Sequence, residues 1–486
     1  MELPRDAEIA TARRPLALVG LVFLAIQLAA FSLERPPSWD EAIYLSQVSP
    51  DTEPLPFVAS RARGITLFAL PVLQLGGSLT ILRLFLAVAS AAALVGAFRL
   101  WSPVIGAGAV AAAVLFAGAW PTLFYGSELM PNLWLALLAV AATAILARRL
   151  GLRERRSDEL VAGGLVAVAA MIRPLDATVL AATLVLLPVG LRRATWSWVG
   201  FLVLGLAAGW APWLVEMTAR FGSLGDAFAA AARLGHTGRW SLVENVEQYL
   251  ALSDGPSIGP VAHPQVPVSG PLWLLGLVVL VVMGLREAHR RGFVRSLLVP
   301  VAAGAALGAE YVVFTDAQAP RFLLPAFALI AIPAGLGLAS IVIASGARAR
   351  GRPWRAAWAV IASALVGVWL IQQVVVATRI EEDVTAQRAS AVRVGRQVRA
   401  LAARQPCFVS SESSFPIVAY VARCRGSDLG EVLTSWEERA ERLARDGVRP
   451  FLALRRARKQ DAPAGAVLVR TVPSGGGFAW YVYERA

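Results

Sequence analysis

The chain has 486 residues, of which 57% are hydrophobic and only 16% charged, with a mean hydropathy of +0.60. A soluble domain carries about 25% charged residues, so the composition excludes an ordinary soluble protein and predicts a polytopic α-helical membrane protein. The net charge of +13 does not mark a nucleic-acid binder, because the arginines stand in short runs between apolar stretches, as cytoplasmic loops do.

The first apolar stretch, residues 15–32, can cross a bilayer, which takes about 20 residues. Arg5, Arg13 and Arg14 precede it and hold the N-terminus in the cytoplasm. No small-residue cleavage site follows, so the segment reads as a retained span. It delivers RPPSWDEAIYLSQ, with Asp40 and Glu41, to the external face at the edge of the lipid. Adjacent acids there, beside Trp39 and Tyr44, point to a reaction site, since a carboxylate can take the proton of an attacking hydroxyl.

A Pro-rich loop leads to ASRARG, whose Arg61 and Arg63 lie on the external side against the charge bias. A guanidinium binds phosphate through paired hydrogen bonds, so both are candidate lipid-phosphate ligands. Residues 65–75 are apolar but short, and are expected to lie in the membrane interface. Spans follow at 79–100, 104–120, 132–147, 160–172, 174–191 and 196–216. After a long mixed segment, 217–270, they resume at 272–285, 297–314, 322–345 and 357–377. The expected total is about eleven transmembrane helices, with external loops over 34–78 and 217–270.

Assigning alternate loops to the two sides sorts the charge. The N-terminal basic run and the dense arginine loops, such as ARRLGLRERR, REAHRRGFVR and ARARGRPWR, fall on one side. Asp40, Glu41, Glu128 and Asp316 fall on the other. The N-terminus is therefore inside and the C-terminus outside. Glu128, in YGSELMP with Tyr125, is expected to meet Asp40 across the mouth of the bundle. Arg321, in APRFLLPAFAL, opens a late span on the external side, where an arginine needs a partner; a lipid phosphate or Asp316 would serve. Arg173, in MIRPLD, is placed similarly, but Asp176 can pair with it. His236 and His263 are too far apart and too lacking in companions to form a metal site, and none is expected. No P-loop, Rossmann glycine pattern or nucleophile elbow occurs, which argues against a nucleotide-driven cytoplasmic enzyme.

From about residue 378 the sequence turns polar and mixed. Residues 383–403 read as an amphipathic helix and 431–445 as a charged one. CFVSS, PFLAL, VLVRTV and FAWYVYE read as strands. Residues 378–486 are thus expected to form a small external α/β domain beside a membrane domain over 1–377. Its Cys407 and Cys424 fit either a disulfide, favoured in an oxidising compartment, or two buried free thiols.

The motifs WDEAIY, SRARG, YGSELMP and PRFLLP, set among many spans with an external C-terminal domain, resemble the GT-C glycosyltransferases. Within them the pattern is most similar to the protein O-mannosyltransferase and aminoarabinose transferase group. The resemblance implies a sugar donor carried on a polyprenyl phosphate in the outer leaflet. A hydroxyl of an envelope glycan, lipid or protein acceptor attacks the anomeric carbon, which is inverted, and the lipid phosphate leaves. It implies Asp40 as the base. Glu41, Tyr44, Tyr125 and Glu128 would position sugar or acceptor. Arg321, with Arg61 or Arg63, would neutralise the departing phosphate, where charge develops. No nucleotide or other cofactor is implied, since the donor is already activated. Arginine- and alanine-rich usage points to a GC-rich genome, and the absence of endoplasmic signals to a bacterial plasma membrane. The competing readings are a transporter or flippase for lipid-linked substrates, a non-catalytic membrane scaffold, and a ligase using lipid-linked oligosaccharides. A transporter would carry charges near the bilayer midplane, whereas here they cluster at one face.

Overall fold

The computed structural model describes residues 6–151, 156–232, 242–255, 257–261, 263–315, 318–347, 353–411, 414–428, 436–456, 466–475 and 478–485. In chain order the helices are α1 (Asp6–Ala30), α2 (Trp39–Ser46), α3 (Thr66–Gln74), α4 (Leu79–Arg99), α5 (Ser102–Ile105), α6 (Gly108–Ala117), α7 (Trp120–Tyr125) and α8 (Pro131–Gly151). They continue as α9 (Arg156–Ile172), α10 (Pro174–Gly190), α11 (Trp196–Phe221), α12 (Leu224–Ala232), α13 (Leu242–Ala251), α14 (Ser269–Arg290), α15 (Val294–Val313), α16 (Leu324–Ala347) and α17 (Pro353–Ala402). The C-terminal part adds β1 (Cys407–Ser411), α18 (Phe415–Ala422), β2 (Arg425–Asp428), α19 (Trp436–Arg445), β3 (Arg449–Arg456), β4 (Ala466–Gly475) and β5 (Phe478–Arg485).

The chain is a multi-span membrane protein. Among the described residues, seven helices are long and apolar enough to cross a bilayer: α4, α8, α11, α14, α15, α17, and α16 together with the turn before it. Shorter apolar helices lie at 14–30, 108–117 and 174–190. The predicted spans are helical except 104–120, which is broken into the end of α5, α6 and the start of α7. Two compact units emerge, one comprising Met1–Phe31, Ala59–Gly64 and Leu84–Ile380, the other Ser32–Val58, Ile65–Arg83 and Glu381–Ala486.

The first unit is a bundle whose apolar side chains need no water-driven segregation, because lipid tails are as apolar as leucine; close packing takes over that role. Small residues provide it. A Cβ on Gly284 of α14 would stand 1.9 Å from the Pro333 carbonyl oxygen of α16, and one on Gly337 of α16 would stand 2.0 Å from that of Leu280. These two glycines let the helix backbones touch.

In the second unit the five strands form one sheet in the order β2-β1-β3-β5-β4. β1 runs parallel to β2 and β3, and β5 runs antiparallel to β3 and β4. Its core joins Val394 and Val398 of α17, Val409, Val418, Phe451, Trp480 and Val482 with Ala42 of α2 and Leu55. Residues 32–58, expected as a loop of the membrane domain, therefore share the hydrophobic core of the sheet. The four predicted strands form, whereas β2 and α18 were not foreseen. β2 reads RGSD, too short and polar to alternate. The separate span at 357–377 and amphipathic helix at 383–403 are in fact one helix, α17. No proline or glycine interrupts residues 368–394, and the hydrogen-bond ladder of a helix is indifferent to the change from apolar to polar side chains.

Cys407 and Cys424 are joined as a disulfide, 17 residues apart in sequence, and both lie in the core of the sheet. Closing a loop of that size contributes about 3 kcal/mol by the chain-entropy account. Replacing both with serine is expected to lower the stability of the C-terminal fold by about that amount. Chemical denaturation followed by tryptophan fluorescence, with and without reductant, measures it; reductant should destabilise the wild type and leave the double variant unchanged.

Candidate active site

Asp40 is carried by α2, and the local sequence explains that helix. Ser38 Oγ accepts the Glu41 backbone N–H at 3.2 Å, and Glu41 Oε2 accepts the Ser38 N–H at 3.2 Å. This reciprocal pair satisfies amides that a helix start leaves open. α2 then packs into the sheet unit through Ala42. Trp39 meets Phe415 of α18 edge-on at 6.0 Å, and Tyr44 meets Phe57 at 6.2 Å. The C-terminal sheet and its disulfide-bonded core thus hold the helix that bears the acid.

Neighbouring residues on a helix point about 100° apart, so Asp40 and Glu41 face different surroundings. Asp40 is half-buried. Glu41 is fully buried, and its Oε2 accepts from Arg83 Nη2 at 2.7 Å, with both side chains inaccessible to solvent. Arg83 also donates to the Arg35 carbonyl at 3.2 Å. Arg35 pairs with Glu381, which accepts the Ser32 N–H at 3.1 Å. Glu41 is therefore engaged in a buried charge network that fixes α2, a placement that suits a positioning residue rather than a sugar ligand.

The second constellation lies in the membrane unit. Arg173 occupies the break between α9 and α10, where the following proline disfavours the helical conformation and instead starts α10, as proline does well at a first helical position. Its φ of −146° is extended. Arg173 Nε donates to Asp176 Oδ2 at 2.7 Å, and its Nη2 donates to the Tyr311 hydroxyl. Tyr311 in turn donates to Asp176 at 2.7 and 2.8 Å. The Tyr311 ring stacks on Phe322 at 5.0 Å, 14° from parallel. Two guanidinium carbons approach the Phe322 ring, Arg321 at 4.9 Å and Arg173 at 5.7 Å from its centroid.

Tyr249 completes the group from α13. Burial pushes its phenol above the ordinary value, while the positive charges of Arg321 and Arg173 pull the other way. Asn245 fixes α13 by donating to the Val312 and Thr315 carbonyls at 2.9 Å each. Two arginines stand with the carboxylates of Asp176 and Glu310 in an aromatic-lined cluster, and their guanidiniums suit an anionic oxygen group. Sequence reading named Arg321 and found the Arg173–Asp176 spacing. It missed Tyr249, Tyr311 and Phe322, whose only local signal is their position at span ends.

The remaining candidates sit apart. Arg63 Nε donates to both oxygens of Glu216, at 2.7 and 2.8 Å, and Arg220 binds the same carboxylate at 2.8 Å. Arg63, expected as a phosphate ligand, thus holds a protein carboxylate through its Nε. The carbonyls of Ala59 and Arg61 accept from Trp213 Nε1, each at 3.1 Å, and the Arg61 side chain is half-buried. Gly64 lies against the end of α9: a Cβ there would stand 2.3 Å from the Met171 carbonyl oxygen. This close approach places ASRARG beside the segment that leads into Arg173.

Tyr125 and Glu128 are both buried. The N-terminus of α7 is fixed by Gln373, which accepts the Trp120 N–H at 2.9 Å, and Tyr125 contacts Phe124 edge-on at 5.0 Å. Asp40 and Glu128, expected to meet, belong to different units. His263 is exposed, while His236 and Asp316 lie outside the described residues. Among the described residues no group of three or more His, Cys, Asp or Glu is placed to hold a metal ion.

No protein-family model matches the chain, and no curated protein matches it. Solved structures do. ArnT from Cupriavidus metallidurans, bound to undecaprenyl phosphate, is 13% identical and superimposes with a TM-score of 0.63 over 96% of this chain and 97% of that one. The oligosaccharyltransferase AglB from Archaeoglobus fulgidus, in complex with an inhibitory peptide and a dolichol-phosphate, is 13% identical with a TM-score of 0.55, over 90% of this chain and 69% of that one. The mycobacterial arabinofuranosyltransferase AftD is 15% identical with a TM-score of 0.55, over 98% of this chain and 40% of that one.

The chain has the GT-C glycosyltransferase fold. The likeness to ArnT runs through the C-terminal sheet as well as the spans, since it covers nearly the whole of both chains. The strand-bearing unit that carries α2 is thus part of the shared architecture.

Proposed function

We propose that this protein is a membrane glycosyltransferase that moves a sugar from a polyprenyl-phosphate donor to a cell-envelope acceptor on the external face. The observation that carries the reading is the fold shared over nearly its full length with ArnT, whose structure holds undecaprenyl phosphate; AglB likewise holds a dolichol-phosphate. The paired arginines at Phe322 support it from the chain's own chemistry. In the proposed reaction Asp40 takes the proton of an acceptor hydroxyl, and the oxygen attacks the anomeric carbon with inversion. The bond from that carbon to the phosphate oxygen breaks, and the lipid phosphate leaves with the bonding pair. Arg321 and Arg173 neutralise the charge that develops there. The N-terminus is cytoplasmic, and the acids and arginines named lie on the external side.

Arg321 is the informative residue to change, because removing Arg173 would strand the buried Asp176. Hydrogen bonds to charged groups contribute about 1.5–3 kcal/mol. Arg321→Ala is therefore expected to weaken binding of undecaprenyl phosphate by about 10- to 100-fold, measured by microscale thermophoresis in detergent. Unchanged affinity in a folded variant would remove Arg321 from the phosphate site.

A further inference from the structure

A second polar cavity lies wholly within the sheet-bearing unit. It has a volume of about 330 Å³ and is lined by Ser49, Thr52, Ser78, Arg399, Tyr420 and Arg423, with Asp51, Leu73 and Leu79 among its other walls. None of these residues takes part in the proposed transfer.

Three features define what the cavity can hold. The first is its place in the fold. Ser78 caps α4, its Oγ accepting the Ile81 N–H at 3.3 Å, and α4 is one of the apolar helices long enough to cross the membrane. One wall of the cavity is therefore the end of a span, which lies at the membrane–water boundary. Beside it, Leu67, Leu70 and Leu75 of the α3 segment are exposed, Leu75 by 88%, as is Ile81 at the start of α4. These are surfaces for acyl chains.

The second feature is charge. Arg399 and Arg423 bring two positive charges against the single carboxylate of Asp51, which pairs with Arg423 at 2.9 Å. Arg399 is exposed and makes no ion pair among the described residues. The third is the polar lining. The hydroxyls of Ser49, Thr52 and Ser78 can donate to phosphate oxygens or bind a glycerol headgroup. Burial pushes the Tyr420 phenol up to about 12, so it stays a neutral hydrogen-bond donor.

Arg423 adds evidence of a built wall. It adopts a left-handed backbone conformation, φ +61°, at the C-terminus of α18, which a non-glycine residue adopts at some cost. Its neighbour Cys424 is fixed to Cys407, and Arg425 is bonded to Glu53 at 2.6 Å. Two ion pairs on either side of a disulfide thus fix the 49–53 segment that forms the cavity rim.

We infer that this cavity binds the phosphate headgroup of an anionic phospholipid, with its acyl chains laid against the exposed leucines of the α3 segment and Ile81. The occupant anchors the sheet unit, and with it α2, to the bilayer surface. The site stands independently of the transfer reaction.

The test is native mass spectrometry of the purified full-length chain, delipidated and re-supplied with phosphatidylglycerol or phosphatidylcholine. Wild type is expected to retain phosphatidylglycerol in preference. Arg399→Gln is expected to reduce that retention about fivefold, the contribution of one arginine near an anionic surface (about 1 kcal/mol). Arg445→Gln, an exposed charge on α19 away from the cavity, should leave retention unchanged and controls for net charge. Equal retention by wild type and Arg399→Gln overturns the assignment, as does equal retention of the two lipids. Displacement of the lipid by soluble glycerol 3-phosphate would show a site for free phosphate and not for a membrane lipid. Displacement by a neutral oligosaccharide would show a glycan site.

Discussion

Asp40→Asn is expected to lower sugar transfer by about 10²- to 10⁴-fold, the usual contribution of a general base, while leaving the protein folded. The reason lies in how α2 is built. Its N-terminal amides are satisfied by Ser38 and Glu41, and its packing runs through Ala42, Trp39 and Tyr44. Asp40 is half-buried, and its exchange leaves the Ser38–Glu41 pair in place. Asparagine keeps its size and can no longer accept the proton. Initial rates with saturating donor, beside thermal unfolding of both proteins, measure the effect. Stability should change by no more than about 1 kcal/mol. Equal transfer by both proteins would keep the enzyme and discard Asp40 as its base.

Glu41→Gln is expected to act in the opposite way, on the fold first. Glutamine still serves in the reciprocal helix-start pair, so the cap survives. What is lost is the carboxylate charge that faces Arg83 at 2.7 Å, a guanidinium with no solvent access. Removing one partner of a buried ion pair costs about 3–5 kcal/mol. Denaturation should therefore begin much earlier than in wild type, and activity should fall with it. The double variant Glu41→Leu/Arg83→Met is expected to regain most of the stability, since a buried ion pair replaced by apolar groups of similar volume is often neutral. If Glu41→Gln proves as stable as wild type but inactive, Glu41 acts on substrate and its structural role is wrong.

The contrast between these adjacent acids shows how far the sequence could be read. WDEAIY marks a site at the exit of the first span, and the span pattern follows from hydropathy and from arginine sorting. Nothing in the spelling distinguishes Asp40 from Glu41. Their separation depends on helix phase and on Arg83, 42 residues away. The paired-arginine cluster is partly legible, as Arg173 precedes a proline at a span boundary and Arg321 opens another span. Its aromatic centre is not, because Tyr311 lies 138 residues from Arg173 and looks like any other tyrosine at a helix end. The strands of the C-terminal sheet were visible in their alternation. The role of that sheet was hidden until Ala42 and Leu55 were found in its core. Arg63 reads as a phosphate ligand, and nothing in the sequence shows that Glu216, 153 residues on, accepts from it.

The measurement that bears most directly on the account is transfer by the purified protein in detergent. It would be offered a panel of radiolabelled polyprenyl-phosphate monosaccharides and crude envelope acceptor. The expected result is label moving from one of these donors to envelope material, with free polyprenyl phosphate as the second product. Protein that is folded and binds polyprenyl phosphate yet moves no label from any donor would contradict the assignment and favour a lipid-binding scaffold or a transporter.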